Sequence, residues 1–231
     1  MTRELLTGAD LGGPLVLATG TTTVAPVTFR SGTNLASATA GVMEYDGKVF
    51  YSTPVGRGVS PSMMCYRLNA NNAGANSTGA QSIFGAAVTL TGSTVYAIES
   101  YFILQKTAGS SSHTIGFSFG GGATLNNTAY GILWSREATT GTSNAMSSFN
   151  PLFAFSTTGA NLVLTGSIAT TGQTFTARVS GTVSINAGGT FIPQYTLSAA
   201  PGGAYSTLAG SYFNIWPIGT SGSNTAVGPW A

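Results

Sequence analysis

The stretch TFTARVSGTVSI at residues 174–185 alternates without a break. Phe175, Ala177, Val179, Gly181, Val183 and Ile185 share one parity, and Thr174, Thr176, Arg178, Ser180, Thr182 and Ser184 share the other. Successive side chains of a strand point to opposite faces, so this segment has one buried face and one wet face. A helix would scatter the same apolar set around its whole circumference. HTIGFSF at 113–119 alternates likewise, with Ile115, Phe117 and Phe119 on one side, and it runs into Gly120, Gly121 and Gly122, a natural turn.

Two segments, TVYAIESYFIL (94–104) and AYGILWSRE (129–137), are bulky at both parities. That pattern suits strands covered by a second sheet on one face and by a neighbouring chain on the other. Further strands are predicted at 63–69, 86–90, 151–155, 161–166, 190–197 and 211–218, the last two expected at edges or bulges because of Pro193 and Pro217. Residues 79–85 read as a single helical turn. About nine or ten strands separated by Gly, Ser, Thr, Asn and Pro predict an all-β fold, a jelly-roll-like sandwich over residues 58–231.

Residues 1–57 read differently. An arm, MTRELLTGADLGG, ends at Gly12, Gly13 and Pro14, and 14–35 is expected to hold two short apolar strands. The segment GVMEYDGKVFYSTP (41–54) follows, with Asp46-Gly47 favoured in a two-residue hairpin turn. Such a turn sets Glu44 near Lys48 across the ladder, on the solvent side. The Gly and Pro of VGRGVSP (55–61) mark a linker between this region and the sandwich.

Charged residues make up only 6% of the chain, and eight of the fourteen lie in the first 57 residues: Arg3, Glu4, Asp10, Arg30, Glu44, Asp46, Lys48 and Arg57. Soluble proteins ordinarily carry about 25%. A surface with so little charge is solvated by hydroxyls or hidden in an assembly. The net charge of +2 comes without a basic cluster, which argues against nucleic-acid binding. No apolar run is long enough for a membrane-spanning helix, and the N-terminus lacks the apolar core of a secretory signal, so the chain is expected to act without export.

Candidate chemistry is sparse. The only cysteine, Cys65, sits between Met64 and Tyr66 and reads as a buried strand residue, and the only histidine, His113, reads as an exposed strand start. Neither a nucleophile elbow nor a metal-ligand spacing occurs, and no phosphate loop follows the three glycines. No catalytic residue, metal or cofactor is therefore expected. Glu99 and Glu137 are the carboxylates to weigh for glycoside hydrolysis. Glu99 lies within a very apolar strand, which favours a buried ion pair or an inter-subunit salt bridge with Arg67, Lys106, Arg136 or Arg178. Trp134, Trp216 and Trp230 suit core or subunit packing better than stacking on sugars.

Two groups of residues carry a resemblance. The first is Ser31, Gly32, Thr33, Asn34, Leu35, Gly41, Glu44, Tyr45, Asp46, Gly47, Phe50, Tyr51, Thr53 and Pro54. The second is Tyr212, Phe213, Ile215, Trp216, Pro217, Gly219, Val227, Gly228 and Trp230. With these the chain resembles a loose family of tailed-bacteriophage virion proteins over residues 20–57 and 174–231; the middle carries no such signature. The resemblance implies a non-enzymatic virion protein, assembled in the host cytoplasm and often homotrimeric. With no repeats for a shaft, a capsid decoration protein or head fibre fits best, and a short tail fibre or baseplate appendage binding host-surface glycan is the alternative. On this reading Leu5, Leu6, Leu11, Tyr45, Phe50 and Tyr51 attach the chain to another virion protein, a major capsid protein or a tail or baseplate protein. Glu99, Arg136, Glu137, Arg178 and Trp216 then belong to subunit contacts or ion pairs.

Overall fold

A computed structural model describes residues 19–53, 57–60, 62–137, 152–222 and 224, with Glu137 described by its backbone alone. The described residues are all-β, without a helix. A small N-terminal sheet contains β1 (Val42–Tyr45), β2 (Phe50–Thr53) and β3 (Gly58–Ser60), paired antiparallel in that order. It therefore extends past residue 57, into the stretch that reads as linker. Residues 19–35 form no strand. Instead Thr21 Oγ1 accepts from the amides of Thr23 and Val24, closing a local turn that competes with any ladder.

The remaining strands form a β-sandwich. The large sheet orders β11 (Leu152–Ser156), β10 (Leu125–Glu137), β13 (Gln173–Ile185) and β8 (Thr94–Lys106). The far edge of β8 is shared by β16 (Tyr212–Thr220), which carries β4 (Met64–Arg67), and by β15 (Ser206–Thr207), which carries β5 (Asn72–Ala73). The opposing sheet orders β12 (Leu162–Val163), β9 (Ile115–Gly120), β14 (Gly189–Leu197) and β6 (Gly79–Ser82), with β7 (Val88–Leu90) also on β14. Residues 79–82, expected as a helical turn, are thus strand: their backbone completes the ladder on β14.

The alternation at 174–185 becomes β13, with Phe175, Ala177, Val179, Val183 and Ile185 all buried and Arg178 and Ser180 exposed. Between the sheets lies a chain of rings: Trp134 stacks on Phe175, Phe102 on Phe117 and Phe119 on Phe191, with Tyr130 edge-on to Phe117 and Phe119. Offset and edge-to-face contacts of this kind add roughly 0.5–1.5 kcal/mol per pair beyond area burial.

The two prolines obey one rule in different places. Pro217 lies at a bulge of β16, beyond the end of β4, where no neighbour needs its N–H. Pro193, in contrast, sits in an interior strand. Its carbonyl accepts from Ile83 N, so the position of its missing N–H faces the same side, between the end of β7 pairing at Phe191 and the start of β6 pairing at Gln194. A proline is tolerated there because the ladder is interrupted at that residue.

Candidate functional site

The charges of the N-terminal sheet are structural braces. Tyr45 pairs with Phe50, so the hairpin loop is the four residues Asp46 to Val49, longer than the expected two-residue turn. Asp46 Oδ1 accepts from the amides of Lys48 (2.8 Å) and Val49 (2.7 Å), and Gly47 takes φ 93°, where a side chain would be strained. This register puts Glu44 opposite Tyr51 and away from Lys48. Glu44 instead pairs with Arg57 at 2.9 Å and accepts from Leu35 N, while Arg57 donates to Leu35 O at 2.6 Å. Lys48 Nζ reaches Ser93 O at 2.8 Å, tying the hairpin to the loop before β8. The expectation of a solvent-facing charged side is corrected: the Glu44 side chain keeps only 10% of its exposure.

Of the residues read as attachment points, Tyr45 and Phe50 stack at 4.4 Å and are half-buried, with Phe29 edge-on to Phe50. Tyr51 is buried and donates to Asp46 Oδ2, and burial plus that carboxylate push its hydroxyl up to about 12. It therefore offers no surface for docking. Leu5, Leu6 and Leu11 lie outside the described residues.

The outer face of the large sheet gathers several of the remaining candidates into register. One row runs Phe155, Gly131, Ser180, Glu99, Asn214, Cys65 across six strands. The next runs Phe153, Leu133, Arg178, Tyr101, Tyr212, Arg67. Trp216, half-buried, stands opposite Ala97, one row from Glu99 on the side away from Tyr101. Glu99 is exposed, so it does not sit in the expected buried ion pair, and it pairs with no cation among the described residues. Its neighbour is the Tyr212 hydroxyl at 3.4 Å. Arg178 and Arg67 are also exposed, and among the described residues the ion pair that forms is Glu44–Arg57. At the β11 side the face is apolar, with Phe153 68%, Phe155 71% and Leu133 45% exposed. The Phe153 ring lies over Gly131, where a Cβ would come within 2.7 Å of it. A shallow depression of about 170 Å³ adjoins Tyr101, Leu133 and Arg178.

Arg136 does not belong to this face. It has the parity of the buried Trp134 and lies near enough to Tyr205 to act on its hydroxyl. The side chain of Glu137 and the whole of Trp230 lie outside the described residues. Cys65 is exposed because β4 is an edge strand whose four residues all reach solvent. Beside β4 the two sheets part, leaving an apolar groove of about 400 Å³ floored by Phe84, Phe191, Phe213 and Ile215.

His113 is buried, at 1% exposure, and not the exposed strand start its position after Ser110, Ser111 and Ser112 suggested. Its Nδ1 lies 2.7 Å from Ser111 O and must carry the proton of that bond, and Nε2 lies 2.8 Å from the Tyr205 hydroxyl, which contacts Gln173. Lys106, equally buried, donates to Gly109 O and Thr170 O, each at 2.6 Å. Burial lowers the pKa of both groups. These contacts pin three loops at one end of the sandwich, and sequence reasoning missed them because the partners are carbonyls and hydroxyls far along the chain. Among the described residues no three His, Cys, Asp or Glu converge as a metal site, and no helix is long and apolar enough to cross a membrane. No family model matches the chain, and no curated protein or solved structure is significantly similar to it.

Proposed function

We propose that this chain is a non-enzymatic structural component of a bacteriophage virion, a homotrimeric capsid decoration or head-fibre protein with a jelly-roll-like sandwich, attached through its N-terminal region. One observation carries the reading. The buried or half-buried titratable groups are occupied by their own chain, Glu44 with Arg57, Asp46 with Tyr51, Lys106 and His113 with loop carbonyls, and line no cleft, while large apolar side chains stand open on one sheet face. An enzyme spends titratable groups on a cleft; an assembly component spends surface on contact. The virion as its setting rests on the resemblance of residues 20–57 and 174–231.

The test is the location of the protein on purified particles. Density for this chain at capsid lattice points is the expected result, and a protein absent from intact particles sinks the proposal. Removing residues 1–18, which takes away Leu5, Leu6 and Leu11 while sparing every described residue, should abolish attachment. Unchanged decoration by that variant would relocate the anchor.

A second reading is favoured by one feature of the outer face. Tyr101, Tyr212 and Trp216 lie beside Glu99, Asn214 and Arg178, a mixture of ring faces and planar polar groups suited to a sugar's C–H and hydroxyl surfaces. That arrangement fits a short tail fibre or baseplate appendage gripping host glycan. Binding on a glycan array, lost in Tyr101→Ala, would favour it over decoration.

A further inference from the structure

We infer that the outer face of the large sheet is the surface on which copies of this chain meet, with Glu99 of one copy set against Arg178 of the next and the Phe153–Phe155–Leu133 patch covered in the contact. The inference rests on the assembly reading above and names its surface and its partner, a second copy.

Charge is the first argument. The described outer face carries few charges, and Glu99 and Arg178 stand at its middle on the adjacent strands β8 and β13. Register places them diagonally, Glu99 opposite Ser180 and Arg178 opposite Tyr101, within reach of long side chains, yet they form no ion pair with each other. A carboxylate and a guanidinium left open at the middle of a face whose other described charge, Arg67, lies out on the edge strand β4 complement their counterparts on another copy. The pairing satisfies both groups without a foreign partner.

Area is the second. The central strands β8, β10 and β13 each have 13 residues, roughly 43 Å at about 3.3 Å per residue. Six strands about 4.8 Å apart make the face roughly 29 Å wide, or on the order of 1,000 Å² in plan. A stable interface needs about 800 Å² from each partner, so this face alone is large enough. The three open apolar side chains add on the order of 400 Å² of surface that water covers poorly, the size at which a patch signals a contact.

The experiment is mass measurement in solution across a dilution series, on the full chain and on Glu99→Arg, Arg178→Glu, the double swap and Phe153→Ser. Glu99→Arg and Arg178→Glu should each weaken association by at least about tenfold, and the double swap should recover most of it. Phe153→Ser should weaken it with the charges intact. Both charged positions are exposed, so the swaps leave the sandwich folded; Glu99→Gln, with its smaller change, is the check, and it should weaken association less than Glu99→Arg. Association unchanged in every variant overturns the face and leaves the assembly reading standing. Weakening without recovery in the double swap overturns the Glu99–Arg178 pairing. A wild-type chain that stays monomeric at micromolar concentration overturns the assembly reading itself, and an assembly of two copies overturns the trimer while keeping the face.

Discussion

Glu44 shows how a single carboxylate can hold a module that has little core of its own. It bridges Arg57 and the Leu35 amide, so three separate parts of the N-terminal region converge on it. A half-buried, charge-assisted contact of this type contributes roughly 1.5–3 kcal/mol. Glu44→Gln should therefore release Arg57, and tryptic cleavage after Arg57 is expected to rise at least about tenfold while the sandwich stays intact. His113 acts in the opposite sense, as a group that folding keeps neutral. Burial pushes its pKa below the ordinary value of about 6.5, with the adjacent Lys106 adding to the effect. Below pH about 6.5 the unfolded chain takes up a proton that the folded chain resists. Stability is thus complete above that pH and declines as pH falls beneath it; thermal melts should show this slope, and His113→Gln should flatten it.

At the level of elements, alternation was legible and pairing was not. The period-two run at 174–185 identifies β13 and its buried face from the residues alone. What it hides is the distortion at Gly181, which takes φ 152° opposite Tyr130, where a Cβ would come within 2.2 Å of Ala129 O. In the sequence Gly181 reads as one more member of the apolar parity; only the neighbouring strand reveals why no larger residue fits. Gly181→Ala should cost roughly 2–3 kcal/mol, from backbone strain and the displaced strand β10, and lower the denaturant midpoint accordingly. The same limit explains the hairpin: Asp46-Gly47 announces a turn, yet loop length is set by the Asp46 carboxylate capturing two amides, which dipeptide preference does not encode. The exposure of Cys65 and Glu99 is hidden from the sequence for a related reason. Exposure depends on whether a strand lies at an edge and which face meets the second sheet, and neither is local information.

Across the whole molecule, two units of unequal strength share one chain. The sandwich has a continuous core from Leu68 to Ile215, whereas the three-stranded sheet has Val49 and Tyr51 as its buried apolar residues and leans on polar braces. Three short strands with so little apolar burial are marginal by themselves. A described tie between the units is the bond from Lys48 Nζ to Ser93 O, made by a residue whose neighbours in the loop are held by Asp46. Such a region opens without the rest of the fold, since local opening needs only the loss of local contacts. Amide hydrogen exchange should accordingly be at least about 100-fold faster in β1 and β2 than in the centre of β8 and β13, and Lys48→Ala should widen that gap by quickening exchange in the hairpin alone. Equal protection of the two regions would mean that they open as one cooperative unit, and that the contact at Ser93 couples them far more strongly than one hydrogen bond of about 1 kcal/mol allows.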